Sequence, residues 1–147
     1  MSVTPSSPSS ITAITFASLL ALFTLPAHAQ SQPAKPIVPY LQEHLGLEEH
    51  QVRDALGVLL VFARERLPKP QFDQLARRMP NAAMLLEQTR SRGIVTGPLD
   101  DESEYEAALT KLGIAPQSAA QFAGVVQQYL GMAGYYEERD VLSRVFD

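Results

Sequence analysis

Over residues 40–147, apolar side chains recur at three- and four-residue steps in short blocks, most of them closed by glycine or proline. The clearest block runs from Glu48 to Leu67. Val52, Leu56, Leu59 and Ala63 form its stripe, and Ala55, Val58 and Phe62 widen it. Glu48, Glu49 and Asp54 near its start and Arg64 and Arg66 near its end complement a helix dipole. Upstream, Pro39 fits the first turn of a short helix holding Tyr40, Leu41 and Leu45, which Gly46 ends. Downstream, PKP at 68–70 opens a helix with Phe72, Leu75, Ala76 and Met79 inside, stopped by Pro80. Asn81 then caps a helix from Ala82 to about Arg92, with Ala82, Leu85, Leu86 and Thr89 facing inward and Gly93 as terminator. GIVTGPLD, residues 93–100, has no period and reads as a connecting loop. Asp100 or Asp101 caps a helix carrying Tyr105, Ala108, Leu109 and Leu112, and Gly113 closes it. Pro116 opens the next, with Ala119, Phe122, Ala123, Val126, Tyr129 and Leu130 as its stripe. A last helix, about 136–146, packs Val141, Leu142 and Val145 or Phe146. The pattern predicts an all-α fold, a compact orthogonal bundle of six or seven short helices in a single domain over 40–147.

Two segments of this series resemble each other. LGLEEHQVRDALGVLL at 45–60 and LGIAPQSAAQFAGVVQ at 112–127 align at a constant offset of 67 residues, matching Leu45, Gly46, Gly57 and Val58 with Leu112, Gly113, Gly124 and Val125. Gly46 and Gly113 suit a left-handed helix end. Gly57 and Gly124 lie inside helices, where glycine costs about 1 kcal/mol against alanine, so each is expected to let a neighbouring backbone come close. The match reads as architectural, two related helical units or two ordinary helix corners, ahead of a ligand loop. The glycines form no phosphate-loop pattern, since neither GxxxxGK[ST] nor GxGxxG occurs.

The first thirty residues have a different character. An uncharged polar stretch is followed by the apolar run ITAITFASLLALFTLP and then AHAQ, with Ala27 and Ala29 at the small-residue positions before a cut. This predicts a signal peptide over 1–29, cleaved between Ala29 and Gln30. The apolar run, about 15 residues, is short of the ~20 that span a bilayer, so no transmembrane segment is expected in the mature chain. QSQPAKPIVP at 30–39 carries three prolines and reads as an extended tether. The expected location is periplasmic or secreted.

Composition narrows the chemistry. All 12 basic and 16 acidic residues follow residue 30, giving a net charge of −4 and no broad field to attract nucleic acid. Absence of cysteine excludes disulfides, thiolate catalysis and cysteine zinc sites. An exported domain of this kind is held by its core alone.

LQEHLGLEEHQVRDALGVLLVFARERLPKPQFDQLARRMPNAAMLL, through Leu45, Gly46, Gln51, Gly57, Leu59, Leu60, Ala63, Phe72, Leu75, Pro80, Leu85 and Leu86, resembles the DUF2780 family (VcgC/VcgE-like), small exported bacterial proteins of unknown function. The second half continues the likeness with LGIAP at 112–116, Phe122, Val126, Tyr129 and Leu130. The resemblance covers about residues 41–146 and implies neither an activity nor catalytic residues. GIVTGPLDDESEYEAA departs from the family's Gly/Ala- or Leu-rich middle, and YYEERD makes the last helix richer in charge.

Few side chains suggest chemistry. His44 and His50 flank the Gly46 corner among Glu43, Glu48 and Glu49, without HExxH spacing, and read as solvated polar residues. The acidic run DDESE at 100–104 lacks the ligand pattern of a calcium loop and reads as a cap and a solvated face. No serine stands in a GxSxG motif. No metal and no cofactor is expected. Tyr129, Met132, Tyr135 and Tyr136 form the candidate interaction surface, for an envelope protein or a small apolar ligand. Noncatalytic binding is the leading function, ahead of a structural envelope-associated module and of an enzyme of unknown class.

Overall fold

In the computed structural model the described residues are 35–147; the expected signal peptide and the tether as far as Ala34 lie outside them. Pro36, extended at φ −54° and ψ 145°, precedes helix α1 (Ile37–Leu45). The helix therefore begins before Pro39, and the last three residues of the expected tether belong to it. Pro39 is still in the first turn, where a missing N–H breaks no intrahelical bond. The reason for the early start is burial: Ile37 and Val38 join the core together with Tyr40, Leu41 and Leu45. Gly46, at φ 65°, donates its N–H to the Gln42 carbonyl and ends α1.

Helix α2 (Glu49–Arg66) follows, opened by a capping box in which the Glu48 N–H donates to Gln51 Oε1 at 3.0 Å. Every residue from Asp54 to Ala63 is buried. A helix buried on all sides is a central one, and α2 touches α1, α3 (Lys69–Ala76), α4 (Ala82–Ser91) and α5 (Glu102–Lys111). Asp54 is the polar exception in this run, and Arg92 Nη1 donates to its Oδ1 at 2.6 Å. The pairing explains how a carboxylate is tolerated there.

Between α3 and α4 the expected cap is corrected. Asn81 makes no side-chain capping bond; it adopts a left-handed conformation, φ 52° and ψ 47°, which asparagine tolerates better than most residues. The inward positions of α4 are Leu85 and Thr89, with Ala82 and Leu86 half-buried. The 93–100 segment is a loop, its end pinned where the Leu99 N–H donates to Glu65 Oε2 at 2.8 Å. Asp101, rather than Asp100, caps α5 by accepting the Glu104 N–H at 2.8 Å.

Gly113, at φ 81°, and Pro116 lead into helix α6 (Pro116–Met132), and α7 (Tyr136–Ser143) completes the series. Among the described residues there are seven helices and no strand. Helices α1 and α5 each pack on both long helices, α2 and α6; α7 packs on α6 and α3. The chain is all-α, with one hydrophobic core drawing on all seven helices. Phe62, Tyr105 and Phe146 cluster within it at centroid distances of 5.1–5.3 Å. The buried Tyr105 hydroxyl has no hydrogen-bond partner among the described residues.

The two internal glycines part company. A Cβ on Gly57 would stand 2.0 Å from Thr89 Oγ1 and 3.1 Å from the Leu85 carbonyl, so α4 does approach α2 there. Gly124 is exposed, and a Cβ on it would meet nothing within 4 Å. The expected close contact at Gly124 does not exist, because α6 has no counterpart of α4 lying over that face. Val125 is correspondingly half-buried, whereas Val58 is fully buried.

Candidate functional site

The end of α6 and the turn into α7 read QQYLGMAGYY, residues 127–136, and the chain must turn sharply there to start α7. Gly134 at φ 83° makes the turn, with the Tyr135 N–H donating to the Leu130 carbonyl at 2.8 Å. This geometry distributes the four candidate residues. Tyr129 is buried, Tyr135 half-buried, and Met132 and Tyr136 are 70% and 59% exposed.

Helix α1 supplies what joins two of them. Tyr40 sits 5.3 Å from Tyr129, ring to ring, and its hydroxyl donates to Met132 Sδ at 3.2 Å. On its other side the Tyr40 ring stacks on His44 at 3.9 Å, and His44 Nδ1 lies 2.8 Å from the Tyr40 carbonyl oxygen. His44 is thus an aromatic neighbour of this row, while no group of three or more possible metal-ligating side chains converges among the described residues. Burial, and then the neighbouring Tyr135, raises the Tyr129 pKa.

The other two tyrosines serve separate cation contacts. Arg78 lies 4.1 Å above the Tyr135 ring and donates from Nε to Glu138 Oε1 at 2.8 Å. Burial pushes the Glu138 carboxyl upward, but the hydrogen bond and charge of Arg78 outweigh it, and the group stays below its usual value. Arg139 lies 5.4 Å from the Tyr136 ring. The four residues therefore do not make one continuous aromatic patch. Tyr129 and Met132 meet through Tyr40, and Tyr135 and Tyr136 each stack under an arginine.

Two hollows share Tyr129 as a wall. The smaller, about 100 Å³, is lined by Lys35, Tyr40, Tyr129, Met132 and Ala133. The larger, about 510 Å³, runs between the first turn of α1, the start of α2 and the α3–α4 connection; Arg53, Arg77 and Arg78 stand around it. The sequence pattern marks Tyr40 only as a helix residue and singles out none of these arginines. The i, i+4 spacing of Tyr40 and His44 was the available signal for the aromatic row.

No described helix is long and apolar enough to cross a membrane. No curated protein and no solved structure matches the chain. The family of proteins of unknown function VcgC/VcgE, DUF2780, matches residues 23–143, most of the 147-residue chain, and the chain belongs to that family.

Proposed function

We propose that this chain is a noncatalytic exported domain that binds a protein or a small apolar ligand where α1 meets the end of α6. The observation that carries the reading is Met132. It is 70% exposed at the mouth of a small hollow floored by Tyr40 and Tyr129. A flexible, polarizable thioether beside two aromatic rings suits adaptable apolar contact, and its neighbours are already fixed by the core.

The test compares the parent protein with Met132→Glu. An apolar dye whose emission rises in hydrophobic sites, and affinity capture from the native envelope, should both report the parent surface. The variant should lose dye enhancement or the captured partner while its melting temperature stays close to the parent's, because the side chain is exposed and a carboxylate can still accept from the Tyr40 hydroxyl. Identical dye and capture profiles for the two proteins would overturn the reading. Export rests on the apolar run and the AHA ending, and intact mass checks it: the exported product should begin at Gln30.

A further inference from the structure

The larger hollow carries a chemistry that the Met132 surface does not. Its floor is apolar and ordered: Ile37, Val38, Met79 and Tyr129 line it and are each no more than 9% exposed. Its rim is cationic. Arg53, Arg77 and Arg78 line it against a single carboxylate, Glu49, in a chain whose net charge is −4. Two of the three arginines are already committed. Arg53 pairs with Glu49 at 2.6 Å and Arg78 with Glu138 at 2.8 Å. Arg77 donates from Nε to the Asp73 carbonyl at 3.2 Å and has no carboxylate partner among the described residues. Its terminal N–H groups remain for an external acceptor, and the backbone bond from Nε fixes the root of the guanidinium.

We propose that this groove binds a medium-chain aliphatic carboxylate, its chain along the Ile37–Val38–Met79–Tyr129 floor and its carboxylate on Arg77. The inference rests on the reading of the chain as a binding module and names the ligand class. Size and wall chemistry favour a small amphiphile. About 510 Å³ falls within the ~300–1,000 Å³ of small-molecule sites. Pro36, Pro39 and Pro80 on the walls have no N–H, so they offer an extended peptide no backbone donors. A planar guanidinium matches a carboxylate through two parallel bonds, which neither an alcohol nor an amine reproduces. The α3–α4 turn that carries Arg77 and Met79 is held against α7 by the Arg78–Glu138 pair, so little ordering is needed on binding.

The experiment titrates the purified full chain with octanoate and octan-1-ol, below their aggregation limits, and follows amide shifts by NMR. Octanoate should bind about three- to tenfold more tightly than octanol at low salt, with shifts at Ile37, Val38 and Met79. Arg77→Gln, an exposed change that leaves the core intact, should bring the two ligands within about twofold. Arg77→Lys should keep part of the preference, and raising the salt should shrink it in the parent. Equal affinities in parent and Arg77→Gln would overturn the carboxylate assignment and leave an apolar-ligand module standing. Binding of neither ligand, or shifts confined to Met132 and Ala133, would overturn the assignment of this groove, while the Met132→Glu comparison would still decide the broader reading.

Discussion

The α1–α2 and α5–α6 units share a plan and differ in their surroundings. In each, a short helix ends at a glycine with positive φ, Gly46 or Gly113, and a long helix follows from Glu49 or Pro116, again 67 residues apart. The openings differ. A capping box starts α2, whereas α6 starts on a proline after Ala115, which makes no side-chain cap. The corners even touch, Gln51 Nε2 donating to the Gly113 carbonyl at 3.3 Å. The coverings differ more. Helix α4 closes over α2 at Gly57, whereas α7, the helix that follows α6 and packs on it, passes Arg139 by Gly131 instead of Gly124. The repeat thus specifies the corner, and later elements decide which face of each long helix is buried.

Truncation of the central positions should give the largest effects and rank the two units. Leu59 and Val126, aligned at the same offset, are both fully buried. Leu59→Ala should cost about 2–5 kcal/mol in denaturant melts. Val126→Ala should cost less, about 1.5 kcal/mol or more, because one carbon fewer is removed. A Leu59→Ala loss smaller than that of Val126→Ala would contradict the central place of α2.

Gly57→Ala comes next, destabilising by about 1–3 kcal/mol through overpacking against Thr89 and the Leu85 carbonyl. Thr89→Ala in the Gly57→Ala background should recover part of that loss. A double-mutant cycle measures the coupling, and strict additivity would mean that the two sites do not press on each other.

Tyr105 separates the units in another way. It aligns with Val38 of α1, yet it buries a hydroxyl without a partner among the described residues. Tyr105→Phe should therefore stabilise, by about 1–2 kcal/mol in thermal or denaturant melts. A loss of stability would reveal a hydrogen bond made outside the described residues or through water.

The smallest change is Gly124→Ala. With open space around the new methyl group, helix propensity should dominate and stabilise by about 1 kcal/mol. Opposite signs for Gly57→Ala and Gly124→Ala are the sharpest statement of the comparison, and equal signs would break it.

Helices were legible because their signals are local. The stripe of α2, the stops at Gly46, Gly93 and Gly113, and the Asp101 cap all depend on neighbours within a few residues. What remained hidden depends on partners far along the chain. Nothing near Gly124 says whether another helix covers it, and nothing near Asp54 announces Arg92. Asn81 takes a left-handed turn where a cap is expected, because the same residue type favours both. In the candidate site, Tyr129 and Met132 were visible as apolar residues near a helix end. Their link through Tyr40 was not, since it joins residues 92 positions apart.

The packing of α1 on α6 also fixes an order in time. Tyr40 leaves the ribosome long before Tyr129 and Met132, the α6 residues it meets, since α1 ends at Leu45 and α6 at Met132. At synthesis rates of about 5–20 residues per second, that interval is roughly 4–17 s. Of the described helices α1 is made first; it can pack on α2 as soon as that helix forms, but the face it shares with α6 has to wait for the second long helix.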